Sequence, residues 1–149
     1  LSVLIEAKKL LPRENFVIFA DQENNPYGDK TPVQIKRYTT YATEFLIKKH
    51  NIKMMILACN TATVLAIDHL RRNFKIPIVG AVPSVKPAFK NGSKVAILST
   101  GATAKSKYLS DLVNDFGSKE STLKIGCVGL EEAIEILDYK KIEKLLKLK

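Results

Sequence analysis

Five short apolar runs, each separated from the next by an amphipathic stretch, constrain this chain more than anything else in it. They are residues 16–20, 54–58, 76–82, 95–98 and 123–128, the last broken by Lys124. Uninterrupted apolar runs of this length read as strands buried on both faces. Pro77 marks the third as a strand start or an edge. The intervening stretches carry helical signals. Residues 2–11 read as a short helix stopped by Pro12. Thr31-Pro32 reads as an N-cap followed by a first helical residue. That helix presents Tyr38, Tyr41, Ala42, Phe45 and Leu46 on its apolar face and ends at Lys48-Lys49-His50. The next turns Val64, Ile67 and Leu70 inward and closes on Arg71-Arg72. Residues 84–91 form a short helix closed by Gly92. A helix with Ala104, Tyr108, Leu109, Leu112, Val113 and Phe116 on one side ends at Gly117, and residues 130–149 make one helix or two. Alternation of this kind predicts an α/β fold, mostly parallel sheets with flanking helices.

Ligands of such sheets bind beyond the carboxyl ends of the strands. The residues there are Pro26-Tyr27-Gly28, Cys59-Asn60-Thr61 and the segment from Thr100 to Thr103. Cys59 is the most informative. An apolar run stops at its thiol, and small polar residues open a helix immediately after it. The positive end of a helix dipole lowers a cysteine pKa and attracts a carboxylate, so the position predicts an activated thiol. A small core residue at a strand end is the competing reading. Likewise, Tyr27 reads as a ligand contact or as a packed turn aromatic, and Thr100 and Thr103 as ligand contacts or helix caps. His50 and His69 stand alone on helical stretches, which favours surface or satisfied histidines over metal ligands.

Composition narrows the function classes. Twenty-four Lys and Arg against 15 Asp and Glu give a net charge of +9. The basic residues lie mostly on helical stretches without a base-reading motif or zinc-finger spacing, so solvated helix faces explain them better than nucleic acid does. No apolar run approaches the ~20 residues of a membrane span. The two cysteines, Cys59 and Cys127, make no disulfide framework, and an intracellular, cytoplasmic protein is expected. A parallel α/β unit usually opens with a strand. This chain opens and closes with helices, and reads as an excerpt of a longer fold divided near Gly92.

Several segments carry a resemblance to the glutamate racemases of the cofactor-independent aspartate/glutamate racemase superfamily. Residues 1–12 resemble the helix after that family's first glycine-rich loop. Pro26-Tyr27-Gly28 with Lys30 resembles its substrate loop, and Ala58-Cys59-Asn60-Thr61-Ala62-Thr63 its first cysteine motif. Ser99-Thr100-Gly101-Ala102-Thr103 through Tyr108 resembles the loop that opens its second domain. The resemblance implies two similar α/β domains with the active site between them, here residues 1–92 without their first strand and 93–149 as the front of the second. It implies Cys59 as one of two catalytic thiols and Pro26, Tyr27, Gly28, Asn60, Thr61, Thr100 and Thr103 as substrate contacts. It further implies interconversion of L- and D-glutamate for peptidoglycan without cofactor or metal, and suggests a homodimer.

Two family features are missing: an Asp-Ser pair on the opening strand and a second thiol in a Gly-Cys-Thr-His motif. Cys127 also ends a strand, but Val128 follows it, and a buried, inert thiol is the better reading. The chain by itself is therefore expected to be inactive. Two readings stand beside the glutamate racemase: a catalytically dead ligand-binding or regulatory fragment, and a racemase for aspartate or a hydantoin. Thiols suit this chemistry. Racemisation removes an α-proton from one face and returns one to the other, and a group with a pKa of about 8.5 can serve as either base or acid.

Overall fold

The structure is a computed structural model that describes residues 2–147. Leu1 and the end of the expected 130–149 helix, Leu148 and Lys149, lie outside the described residues. The elements in order are α1 (Ser2–Leu10), a 3-10 turn (Tyr27–Asp29), α2 (Pro32–His50), β1 (Met55–Leu57), α3 (Asn60–Asn73) and β2 (Ile78–Gly80). They continue as α4 (Val85–Asn91), β3 (Val95–Ser99), α5 (Gly101–Ala104), α6 (Lys107–Phe116), β4 (Thr122–Gly126), α7 (Leu130–Glu135) and α8 (Tyr139–Lys147). The α/β class is observed. The strands form two separate parallel pairs, β1 with β2 and β3 with β4.

Each pair has its own core. Ile35, Leu46, Met55, Ala66, Ile67, Leu70 and Ile78 pack together around the first pair. Val85, Ile97, Leu109 and Val113 pack around the second, so α4 is buried with β3 and α6.

The helix signals translate directly. Thr31 caps α2 in a reciprocal capping box with Gln34, and Pro32 is its first helical residue. Val64, Ile67 and Leu70 all face inward from α3. Three expectations fail. First, residues 16–20 form no strand and pair with none, and Val17 and Ile18 are exposed. A cavity of about 1020 Å³ lined by residues 16–19, α1, α2 and β1 separates them from the edge of β1. Without a neighbour in hydrogen-bonding reach, an apolar run cannot form a ladder.

Second, α2 buries only part of the expected face: Leu46 is buried and Phe45 packs against the first core, but the most buried stripe runs through two threonines instead of Tyr41. Ile35, Thr39, Thr43 and Leu46 are buried, whereas Tyr41 is 64% exposed. The threonines tolerate burial because their hydroxyls donate to carbonyls one turn back, Thr39 to Ile35 and Thr43 to Thr39, both at 2.7 Å. Third, the helix expected to contain Ala104 to Phe116 is two helices. Ser106 interrupts it and caps α6, its Oγ accepting from the Leu109 N–H at 3.1 Å. Phe116 is exposed, with the Lys86 ammonium 5.3 Å from its ring centre.

Candidate active site

Cys59 ends the β1 segment and is the N-cap of α3, with extended backbone (φ −131°, ψ 123°). Its carbonyl accepts from the Thr63 N–H at 2.9 Å, which starts the helix. The thiol is free, partly buried, and lines the 1020 Å³ cavity together with Tyr27, Asp21, Ala62 and Glu131. The backbone N–H groups of Thr61 and Ala62 do favour the thiolate, as the helix start predicts. Burial outweighs them and, with a smaller push from the Glu131 charge, raises the thiol above its ordinary value. The expected lowering is thus reversed: a single helix terminus does not compensate for removing sulfur from water on this scale.

Tyr27 sits in the 3-10 turn and packs against the first core beside Cys59. Its hydroxyl donates to Asp21 Oδ2 at 2.7 Å, and Asn24 Nδ2 donates to the same carboxylate at 2.8 and 3.1 Å. Burial first, then this hydrogen bond and the Asp21 charge, push the phenol well above its usual range. Tyr27 is therefore a neutral donor held in place by Asp21. Pro26 precedes the turn through a cis peptide bond. Gly28 is hemmed in from the other half of the chain. A Cβ there would collide with the Glu131 carboxylate and lie 2.9 Å from Thr100 Cγ2.

Three of the threonines meet. Thr61 comes from the first turn of α3, and Thr100 caps α5, accepting from the Thr103 N–H. The hydroxyls of Thr61 and Thr100 are 3.1 Å apart, and Thr103 Oγ1 lies 3.3 Å from Thr61 and 3.0 Å from Thr100. This triangle joins the two halves at the starts of two helices. Thr100 acts as a helix cap here. Cys59 and Tyr27 line the cavity; Pro26, Gly28, Asn60, Thr61, Thr100 and Thr103 do not. Asn60 is exposed, and Thr61 and Thr103 are buried.

Two residues at the site escaped the sequence reading. Asp21 follows the apolar run 16–20 directly, a strand-end position that could have nominated it. Glu131 stands two residues after Gly129, in the first turn of α7. Its carboxyl is raised above the ordinary value by burial and by the charges of Asp29 and Glu135. The Gly28 N–H, directed at it, pulls the other way. Cys127 is 4% exposed and does not line the cavity. His50 lines the cavity's far end, and His69 Nε2 is 3.1 Å from Thr40 Oγ1. Among the described residues no cluster of three or more His, Cys, Asp and Glu could hold a metal ion, and no helix is long and apolar enough to cross a membrane.

Comparison with known proteins agrees with the motif pattern. The family model for Asp/Glu/hydantoin racemases matches residues 5–144. Glutamate racemase of Clostridium botulinum (strain Kyoto / Type A2) is 43% identical over 137 residues, covering 91% of this chain and 53% of that protein. The Clostridium novyi (strain NT) protein is 42% identical over 138 residues with the same coverage. The crystal structure of Escherichia coli glutamate racemase with L-glutamate and the activator UDP-MurNAc-ala aligns with a TM-score of 0.84 at 27% identity. It covers 98% of this chain and 58% of that one. The chain spans about half the length of the curated relatives it matches.

Proposed function

The chain belongs to the Asp/Glu/hydantoin racemase family, and on that premise we propose that it carries one catalytic half of a glutamate racemase. In this reading Cys59 exchanges the α-proton on one face of glutamate, and a second thiol outside this chain serves the other face. The observation that carries the reading is Cys59 itself, at the start of α3 on the wall of a cavity shared with Tyr27. Its burial favours the neutral thiol, a form able to return a proton to a carbanion. Nearby amides of α3, with Asn60 and Thr61, supply donors for a substrate carboxylate. Tyr27 and Gly28 approach from the substrate loop, with Pro26 setting its entry, and Thr100 and Thr103 from the facing half. Preorganised donors in a site closed to water stabilise carbanion charge without an electron-sink cofactor.

The division into residues 1–92 and 93–149 belongs to the same proposal. It is supported by two separate sheets with separate cores, although α4 packs with the second. The open edge of β1, the cavity beside it and the unpaired run 16–20 support a first unit short of one strand. D-glutamate production for peptidoglycan in the cytoplasm, and a homodimer, follow from the family alone.

A ligand-binding half without turnover is favoured by one observation. Cys127, the other thiol, is buried outside the cavity. Calorimetry with L- and D-glutamate, with both aspartate enantiomers as comparison, tests binding, and circular dichroism of L-glutamate tests racemisation. Glutamate is expected to bind better than aspartate, with turnover lower by orders of magnitude than a two-thiol enzyme gives. Clear turnover by this chain, abolished by Cys59→Ser, would overturn the half-site reading. Preference for aspartate would move the assignment to another racemase of the family.

A further inference from the structure

The turn that carries Tyr27 and Gly28 is closed by a side chain that the proposed chemistry leaves unused. Asp21 stands directly after the apolar run 16–20, half-buried on the cavity wall. Asn24 donates its main-chain N–H to Asp21 Oδ1 at 3.4 Å, and its Nδ2 to Oδ1 and Oδ2 at 2.8 and 3.1 Å. Tyr27 donates its hydroxyl to Oδ2 at 2.7 Å, across six residues. Hydrogen bonds to a carboxylate are shorter and stronger than those between neutral groups.

The main chain is tied at both ends of the same ring. The Gln22 N–H donates to the Ala20 carbonyl at 3.0 Å, and the Lys30 N–H to the Tyr27 carbonyl at 3.2 Å. The Tyr27 ring packs against the first core, its centre 6.2 Å from that of the Tyr38 ring on α2. A surface segment of this length without such ties would sample many backbone conformations, and a ligand that needed one of them would bear the ordering cost.

We infer that Asp21 is a positioning residue for the proposed racemase half, whose carboxylate ties Asn24 and Tyr27 into one closed turn and fixes Tyr27 and the adjoining Gly28 main chain before substrate arrives. The part concerning substrate rests on the racemase reading; the anchoring rests on the hydrogen bonds alone. The phenol has a single proton, and Asp21 holds it. The turn therefore meets a ligand with its ring and main chain and not with a free hydroxyl donor.

The test uses the full chain with 13C-labelled tyrosine. It reads the Tyr27 Cζ resonance, assigned through Tyr27→Phe, and amide exchange at Tyr27 and Gly28. Asp21→Asn keeps the size and one acceptor oxygen but removes the charge. It is expected to move the Tyr27 resonance while those of Tyr41, Tyr108 and Tyr139 stay in place, with exchange within about three-fold of the parent's. Asp21→Ala removes both oxygens and should raise exchange at Tyr27 and Gly28 about ten-fold, with the β3–β4 ladder protected as in the parent. Tyr27→Phe alone should raise Gly28 exchange. Added to Asp21→Ala it should raise it no further, because both remove the same bond. In calorimetry Asp21→Ala should weaken L-glutamate binding about ten-fold, and Asp21→Asn by less.

A Tyr27 resonance unmoved in Asp21→Asn, Asp21→Ala exchange superimposable on the parent's, additive effects in the double variant, or glutamate bound equally by Asp21→Ala and the parent would each overturn the inference. Where Asp21→Ala loses protection throughout the chain, the Asp21→Asn resonance and Gly28 exchange in Tyr27→Phe decide. Neither of those needs glutamate. A parent chain that binds no glutamate would sink the racemase reading and leave the anchoring result standing.

Discussion

The two cysteines occupy the same place in two copies of one local pattern. Each ends a strand segment in a parallel pair and leads into a helix, Cys59 into α3 and Cys127 into α7. Their surroundings differ. Cys59 is partly buried, lies beside the Thr61 and Ala62 N–H groups and faces a cavity. Cys127 is almost fully buried, its N–H donating to Ser99 at 2.8 Å and its Sγ 3.9 Å from the Ile125 carbonyl. The covering of the corner makes the difference. Beside Cys127, a Cβ on Gly126 would lie 3.2 Å from the Gly101 Cα, so α5 rests directly on β4. Gly129 then turns the chain with φ of 78°, a conformation that glycine adopts without strain. Beside Cys59, the edge of β1 away from β2 is open to the cavity. A strand-end thiol is thus available for chemistry where the neighbouring element stands off, and inert where that element touches backbone to backbone.

The comparison can be broken most decisively by alkylation under native conditions. Cys59 should react at pH 9 on the order of 100-fold faster than Cys127, since a buried thiol reacts only through opening of its core. Comparable rates would show that the second corner is not closed. A smaller effect is expected when that corner is pried apart. Gly126→Ala inserts a methyl against the Gly101 backbone and should cost about 1–3 kcal/mol in denaturant unfolding, while making Cys127 reactive. Unchanged stability with a protected Cys127 would mean that close approach is not what covers it.

The smallest effect is a pH dependence. The folded state raises the Cys59 pKa, so it binds the thiol proton more tightly than the unfolded chain does. Stability from this term is fully present below the ordinary thiol pKa and is lost as pH rises toward the folded value. Comparison of denaturation midpoints between pH 7.5 and 10 for the parent and Cys59→Ala should show a steeper alkaline decline in the parent. A steeper decline in Cys59→Ala would reverse the sign of the burial effect.

Much of the layout was legible because its signals are local. Thr31-Pro32, Ser84, Gly92 and Gly117 delimit helices through backbone chemistry that needs no distant partner, and the structure has ends there. Cys59 and Tyr27 were legible as motif residues, and both line one cavity. The illegible features are those where a side chain's role depends on what faces it. Tyr41 reads as core by hydrophobicity, but Thr39 and Thr43 take the buried stripe because they satisfy their own hydroxyls along the helix. Residues 16–20 read as a strand by composition, yet a strand exists only through a partner. Glu131 carried no signal, because its meeting with Gly28 spans about a hundred residues of sequence.

The sequence by itself determined the order of elements, the α/β class and the family, since apolar periodicity, caps and motifs are written within a few residues of one another. Tertiary structure alone decided the direction in which the Cys59 pKa moves. It also decided that a distant glutamate reaches the site. Each of these depends on burial and on charges brought close in space, and folding sets both through contacts between segments far apart in the chain.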